Sequence, residues 1–216
     1  MKQKHPMPTL AHLLTARDEF KRIEPRDFFY WSVTKLVAAV LDTELRTGMV
    51  DELVRVLMML LTTWNKNYYR FFNRRKGGMT LEQHFAELEA VISKHLNRLI
   101  KFRNQRIHET AEIPEQDIRG IFEDFTKVLG RVGAAKCLHL LAPGFFPLWD
   151  AAILKGYGME KGEYRHRTDA ERYVAFIRIS KGQINNLGEF RSFTDNPLKR
   201  LDEYNYCRFT KNVDFH

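Results

Sequence analysis

The chain has 216 residues, with 35 Lys and Arg against 27 Asp and Glu, a formal net charge of +8. This length supports one domain or two small lobes on a shared core, and a composition that is 44% hydrophobic and 12% aromatic excludes general disorder. No uncharged apolar run reaches the roughly 18 residues of a membrane span, no secretory signal is read, and two cysteines cannot build a disulfide framework, which points to a reducing compartment.

In chain order the periodicity is helical almost throughout. Phe28–Leu45 spaces Trp31, Leu36, Val40 and Leu41 by threes and fours, and Gly48 ends it. Val50–Leu61 is nearly all apolar, which predicts a central helix. After Gly77-Gly78, Thr80-x-x-Gln83 predicts a capping box before a stripe that includes Leu81, Phe85, Leu88 and Ile92. Asp117–Leu129 and Ala134–Leu141 are two further helices, the second stopped by Pro143-Gly144. A helix starts near Asp150, Gly156–Tyr164 reads as loop, Asp169–Ser180 is helical, and Asn185–His216 predicts one more helix. Strand-like alternation is lacking, so the expected fold class is all-α.

The positive charge is clustered. Arg70, Arg74, Arg75 and Lys76 form a basic knot next to Trp64, Tyr68, Tyr69, Phe71 and Phe72, and a second basic stretch runs from Lys94 to Arg106. Cations beside aromatic rings suit a nucleic acid, where phosphates meet charge and bases meet rings. A solvated basic face beside core aromatics reads equally well from charge alone.

The segment from Leu129 to Tyr157 carries the chemistry. Gly130-Arg131-Val132-Gly133 joins two helices, with glycines that permit positive φ and close backbone approach. Val132 is expected to plug between those helices, and the first N–H groups of the second are free for a phosphate oxygen. Next come a short helix and Pro147-Leu148-Trp149-Asp150. This order resembles the helix-hairpin-helix DNA glycosylase superfamily, whose hairpin reads roughly Leu-Pro-Gly-Val-Gly and whose essential Asp follows a Pro at the start of the next helix. The match is good around the hairpin and only generally helical elsewhere. Leu129-Gly130-Arg131-Val132-Gly133 lacks the usual Pro.

The resemblance implies a two-lobed helical fold. Residues 1–30 and 155–216 would form one lobe, and 31–154, with the helix-hairpin-helix at 117–141, the other. It implies a monomeric, cofactor-free, metal-free cytoplasmic (nucleoid-associated) enzyme that flips one nucleotide out of double-stranded DNA and hydrolyses its N-glycosidic bond. The four-cysteine iron–sulfur cluster of some members is impossible with Cys137 and Cys207 alone.

Asp150 is the carboxylate selected to stabilise the sugar cation and activate water, and the same residue suits a helix N-cap. Bifunctional members place a nucleophilic Lys two residues after the hairpin. Lys136 lies three after Gly133, a rotation of about 100°, which favours a monofunctional enzyme with Lys136 at a phosphate or the active-site rim over Lys136 as nucleophile. Gly130, Arg131, Val132, Gly133, Arg70, Arg74, Arg75 and Lys76 would hold the backbone. Trp64, Asn65, Tyr68 and Trp149 would form the base pocket.

Damaged bases are the superfamily's general targets, and hypermodified phage pyrimidines such as glucosylated hydroxymethylcytosine are a further option, in defence. Two other readings stand beside this one. Arg103-Asn104-Gln105-Arg106-Ile107-His108 resembles the Arg-Asn-x-x-x-His pattern of HEPN-type ribonucleases, with Arg103 and His108 on one helical face. A non-catalytic helical DNA-binding module would use Asp150 only as a cap.

Overall fold

Five of the nine described α-helices are entered through a short polar side chain that takes up an N–H group left free in the first turn. In the computed structural model, which describes residues 5–47, 50–72, 76–188 and 196–215, Thr9, Thr80 and Thr168 each close a reciprocal capping box, with His12, Gln83 and Glu171 respectively. Asp150 and Asn196 cap two more helices. The elements are α1 (Leu10–Ile23), α2 (Asp27–Thr47), α3 (Asp51–Trp64), α4 (Lys66–Arg70), α5 (Leu81–Arg103), α6 (Glu115–Leu141), α7 (Ala151–Gly156), α8 (Asp169–Asn186) and α9 (Pro197–Asn205). A 3₁₀ turn at Gly162–Tyr164 and a π-helical turn at Tyr206–Thr210 complete them. The described residues contain no strand, so the fold is all-α, and no described helix is long and apolar enough to cross a membrane.

The core forms around α3, which buries seven of its side chains from Leu53 to Leu61. Against it lie α2, α5 and α6, and α8 packs on the far side of α6. Two expected stripes are shifted. In α2 the buried residues are Tyr30, Val33, Val37 and Leu41, whereas Leu36 is exposed. Tyr30 takes a core position because its hydroxyl finds His139 Nε2 at 2.8 Å, which removes the cost of burying it. In α5, Leu81 is exposed and two histidines face inward instead, His84 toward the Tyr69 hydroxyl at 3.2 Å and His95 toward Asp124 Oδ2 at 2.9 Å.

The first and last described α-helices meet. α1 packs along α9 through a small cluster of Leu13, Ala16, Leu201 and Tyr204. Beside it Lys199 is fully buried, with Asp27 Oδ1 at 3.3 Å, Glu203 Oε1 at 3.4 Å and Asp202 Oδ2 at 3.7 Å. Arg17 bridges Asp27 at 3.1 Å and Glu203 at 2.6 Å. These charges tie α9 to α1 and the start of α2. Replacing Lys199 by a neutral side chain would remove the buried cation that Asp27, Asp202 and Glu203 share.

The expected hairpin over Gly130–Gly133 is narrower than its sequence suggests. Only Gly130 leaves helical geometry, at φ 69° and ψ 163°, and Arg131–Gly133 already belong to the second half of α6. That backbone region is essentially restricted to glycine. The carbonyls beside the break are taken by side chains from the α4 region. Tyr68 donates its hydroxyl to the Val128 carbonyl at 2.6 Å, and Asn65 Nδ2 lies 3.5 Å from the Leu129 carbonyl. Val132 is not the expected plug, because it stays half-buried and outside the core. A Cβ at position 130 would meet Tyr68 at an ordinary 3.5 Å, so space is not the constraint. Gly130→Ala is therefore expected to destabilise through backbone strain, by about 2 kcal/mol, a drop of about 4–8 °C in melting temperature. A thermal melt matching wild type would show that the break tolerates a side chain.

Candidate active site

Sharp reversals of chain direction after α6 bring Pro147-Leu148-Trp149-Asp150 back beside its second half. Asp150 then opens α7 as its N-cap, with Oδ1 accepting the Ile153 N–H at 2.9 Å and Oδ2 lying 3.4 Å from Thr210 Oγ1. The capping role weighed from sequence is real, and it holds the carboxylate in one place. Asp150 lines a cavity of about 70 Å³, room for several water molecules, together with Lys136, Trp64, Trp149, Glu24, Arg26, Asp202 and Tyr206.

Lys136 reaches this cavity from the second half of α6 and donates to the backbone carbonyl of Trp64. Of the two places expected for it, a phosphate or the active-site rim, it takes the second, in the cavity wall. Its long stem is enclosed by protein, and burial pulls its ammonium down from the usual 10.5 to about 8, against the opposing pull of Asp150 and Asp202. Asp202 is displaced the other way. Burial raises its carboxyl to about 7, with Lys199 resisting and the negative charges of Glu203 and Asp150 assisting. Burial would also raise Glu24, but hydrogen bonds donated by Arg26 and by the Tyr206 hydroxyl (2.8 Å) prevail and bring it to about 2. One cavity thus contains a firmly ionised carboxylate, one that holds a proton near neutrality, and an amine that loses its proton under mildly basic conditions. Such divergent environments are where acid and base roles separate.

The other expected site residues divide. Trp64 lines the cavity with its ring stacked on Tyr30 at 5.4 Å. Trp149 also lines it, but the ring is buried, with Nε1 3.4 Å from the Arg131 carbonyl and Tyr173 and Phe122 against it. It offers a wall and no open face for stacking. Asn65 and Tyr68 are corrected: both are occupied at the Gly130 break and neither lines the cavity. A Cβ on Gly133 would approach Asn65 Nδ2 to 2.7 Å and Leu129 Cβ to 2.9 Å, so this glycine is needed for the close approach of α4's entry to α6.

The described basic residues are engaged in different ways. Lys76 binds Glu87 at 3.2 Å and the Lys127 carbonyl at 3.1 Å, which corrects its expected role as a free phosphate contact. Arg131 lies 3.5 Å from Asp169. Arg70 is exposed, over the ring of exposed Phe71. Arg74 and Arg75 lie outside the described residues.

The ribonuclease reading loses its geometry. Helix α5 ends at Arg103, whose guanidinium donates to the Leu141 carbonyl at 2.7 Å, and His108 sits in the turn beyond. The two residues share no helical face. Among the described residues, no group of three or more His, Cys, Asp or Glu is arranged to hold a metal ion, and both cysteines are buried free thiols.

Sequence reasoning missed Glu24, Arg26, Asp202 and Tyr206. The Asp202-Glu203 pair is visible in the sequence and reads as packing against the fold, which holds for Glu203. Nothing local separates the two. Comparison with protein families, curated proteins and solved structures finds no match to this chain.

Proposed function

We propose that this chain is a DNA glycosylase of the helix-hairpin-helix kind, which extrudes one nucleotide from double-stranded DNA and hydrolyses its N-glycosidic bond to leave an abasic site. The observation that carries the reading is the cavity that Asp150 shares with Lys136, directly after the glycine break in α6. Departure of the base leaves positive charge on the sugar. A carboxylate fixed by a helix N-terminus stabilises that charge and takes the proton of the attacking water. Supporting the two-lobed arrangement, Phe20, Glu24, Arg26, Asp202 and Tyr206 approach the cavity from residues 1–30 and 155–216. Trp64, Lys136, Leu148, Trp149, Asp150 and Ile153 approach it from 31–154. The net charge of +8 favours a polyanionic partner.

The enzyme is read as a monomer working in the cytoplasm on nucleoid DNA, in repair or in defence against phage DNA carrying hypermodified cytosine. Incubation with duplexes carrying damaged, ordinary and glucosylated bases is expected to yield alkali-labile sites on at least one of them. Salt-sensitive DNA binding with no abasic sites on any would instead identify a non-catalytic binding module.

A second reading is favoured by the lowered proton affinity of Lys136. Its neutral amine would attack C1′ and displace the base, the sugar C1′–O bond would open to give an imine, and elimination of the 3′ phosphate would cut the strand. Borohydride trapping separates the two. The hydrolytic reading expects no covalent protein–DNA adduct and a strand cut only after alkali, and an adduct lost in Lys136→Met would establish the amine route.

A further inference from the structure

The cavity holds three carboxyl groups, and their surroundings differ in a way that the hydrolytic step alone does not use. Asp150 accepts from the α7 backbone and faces Thr210, and Glu24 is paired with Arg26 and Tyr206. Among the described residues, the carboxyl of Asp202 accepts no hydrogen bond. Its nearest cation is Lys199, at 3.7 Å, and that cation also faces Asp27 and Glu203. Asp202 therefore reaches the cavity from the α9 side as the carboxyl least satisfied as an anion.

We infer that Asp202 is the proton donor to the departing base, so that the two aspartates of the cavity act as acid and base in the same reaction. The inference rests on the glycosylase reading above. The C1′–N bond breaks with its electron pair moving onto the base, and the proton leaves the Asp202 carboxyl for that base. Water adds at C1′ and gives its proton to the Asp150 carboxylate. One water is consumed, the base departs carrying hydrogen, and the sugar keeps the hydroxyl. The two carboxyls have exchanged protonation states, which solvent then restores.

The protonation of Asp202 is set by groups on every element around it. Lys199 and Glu203 face it from α9, Tyr30 from α2, Lys136 from α6, Asp150 from the start of α7 and Cys207 from the π-helical turn. The Glu24–Arg26 pair and Tyr206 close the remaining side of the cavity. Burial outweighs the neighbouring cations and keeps the proton on Asp202 up to about pH 7. Base release by the wild-type chain is therefore expected to slow as pH rises through about 7, where the acid is lost.

The test uses the full chain and duplexes carrying hypoxanthine, 8-oxoguanine or glucosylated hydroxymethylcytosine, bases that are uncharged in the nucleotide and leave as anions unless protonated. On the substrate released fastest, Asp202→Asn is expected to lower kcat about 100-fold, within the range for a general acid, to leave KM within about threefold, and to abolish the loss of rate above pH 7. Asp202→Glu, which keeps an acid and moves it, is expected to recover part of kcat and a pH-dependent limb. The wild-type pH profile gives the same information should either variant fold poorly. Wild-type release with no alkaline limb, or an Asp202→Asn variant as fast as wild type with the limb intact, overturns the role of Asp202 and leaves the glycosylase reading standing. No base released from any duplex overturns both.

Discussion

Replacing Asp150 by Asn is expected to lower base release by roughly 10³-fold while leaving the fold and DNA affinity close to wild type. The expectation has two parts with separate physical origins. Asn and Asp are nearly equivalent N-caps, so the bond that Asp150 Oδ1 accepts from the Ile153 N–H survives as an amide oxygen. The start of α7 is then kept, and stability changes by a few tenths of a kcal/mol. What is lost is the negative charge opposite the developing sugar cation and the acceptor for the water proton, each of which contributes two or more orders of magnitude in an enclosed site. Asp150→Ala is a poorer experiment, because it also removes the cap at a cost of about 1 kcal/mol. Alkali-labile sites counted alongside a thermal melt and a DNA-binding curve read both parts. Full activity in Asp150→Asn would remove this residue from the catalytic step.

Lys136→Met is expected to make the protein more stable at pH 7 and less active. Burial lowers the Lys136 ammonium from 10.5 to about 8. Since one unit corresponds to about 1.4 kcal/mol, the folded chain carries roughly 3 kcal/mol of penalty whenever that lysine is charged. Methionine has a similar length and no charge. It leaves the Trp64 carbonyl without its donor, which costs about 1 kcal/mol. The net gain of about 2 kcal/mol corresponds to a rise of about 4–8 °C in melting temperature.

The pH dependence has a definite sign. Below about pH 8 both folded and unfolded wild type hold the proton, so the penalty is fully present. Between about 8 and 10.5 only the unfolded chain holds it, and wild-type stability rises with pH. The advantage of Lys136→Met is therefore expected below pH 8 and closes as pH approaches 10.5. Base release is expected to fall by one to two orders of magnitude, because the hydrogen bond that ties the cavity wall to the Trp64 carbonyl is lost and the wall opposite Asp150 shifts with it. A variant no more stable than wild type at pH 7 would mean that the lysine carries no such penalty. The pairing of a stability gain with an activity loss is the usual mark of a residue kept for function.

Much of the local structure was legible from residue pattern. The capping box of Thr80 and Gln83 formed as read, because it needs only four consecutive residues. The apolar segment around Leu53–Leu61 became the central helix, because a face that is apolar almost all round has to be covered on all sides. The α2 and α5 stripes were read less well, since apolar character alone does not anticipate that Tyr30, His84 and His95 find polar partners from distant helices and take inward positions. The Gly130–Gly133 motif was seen, but which glycine bends the chain and which only makes room depended on where Asn65 and Tyr68 came to lie.

By itself the sequence determined an all-helical chain, the places where most helices start, and an Asp at an N-cap that follows a glycine break. These depend on residues within a few positions of one another, where backbone preference and side-chain capping act directly. Only the tertiary structure decided that Lys136 points into the same cavity as Asp150, that Asp202 joins them while Glu203 does not, and that Asn65, Tyr68 and Lys76 are spent on holding α6. Burial is the physical reason. It is a property of the packed whole, and it moves the amine to about 8 and the second carboxyl to about 7 through the exclusion of water that no single segment achieves alone.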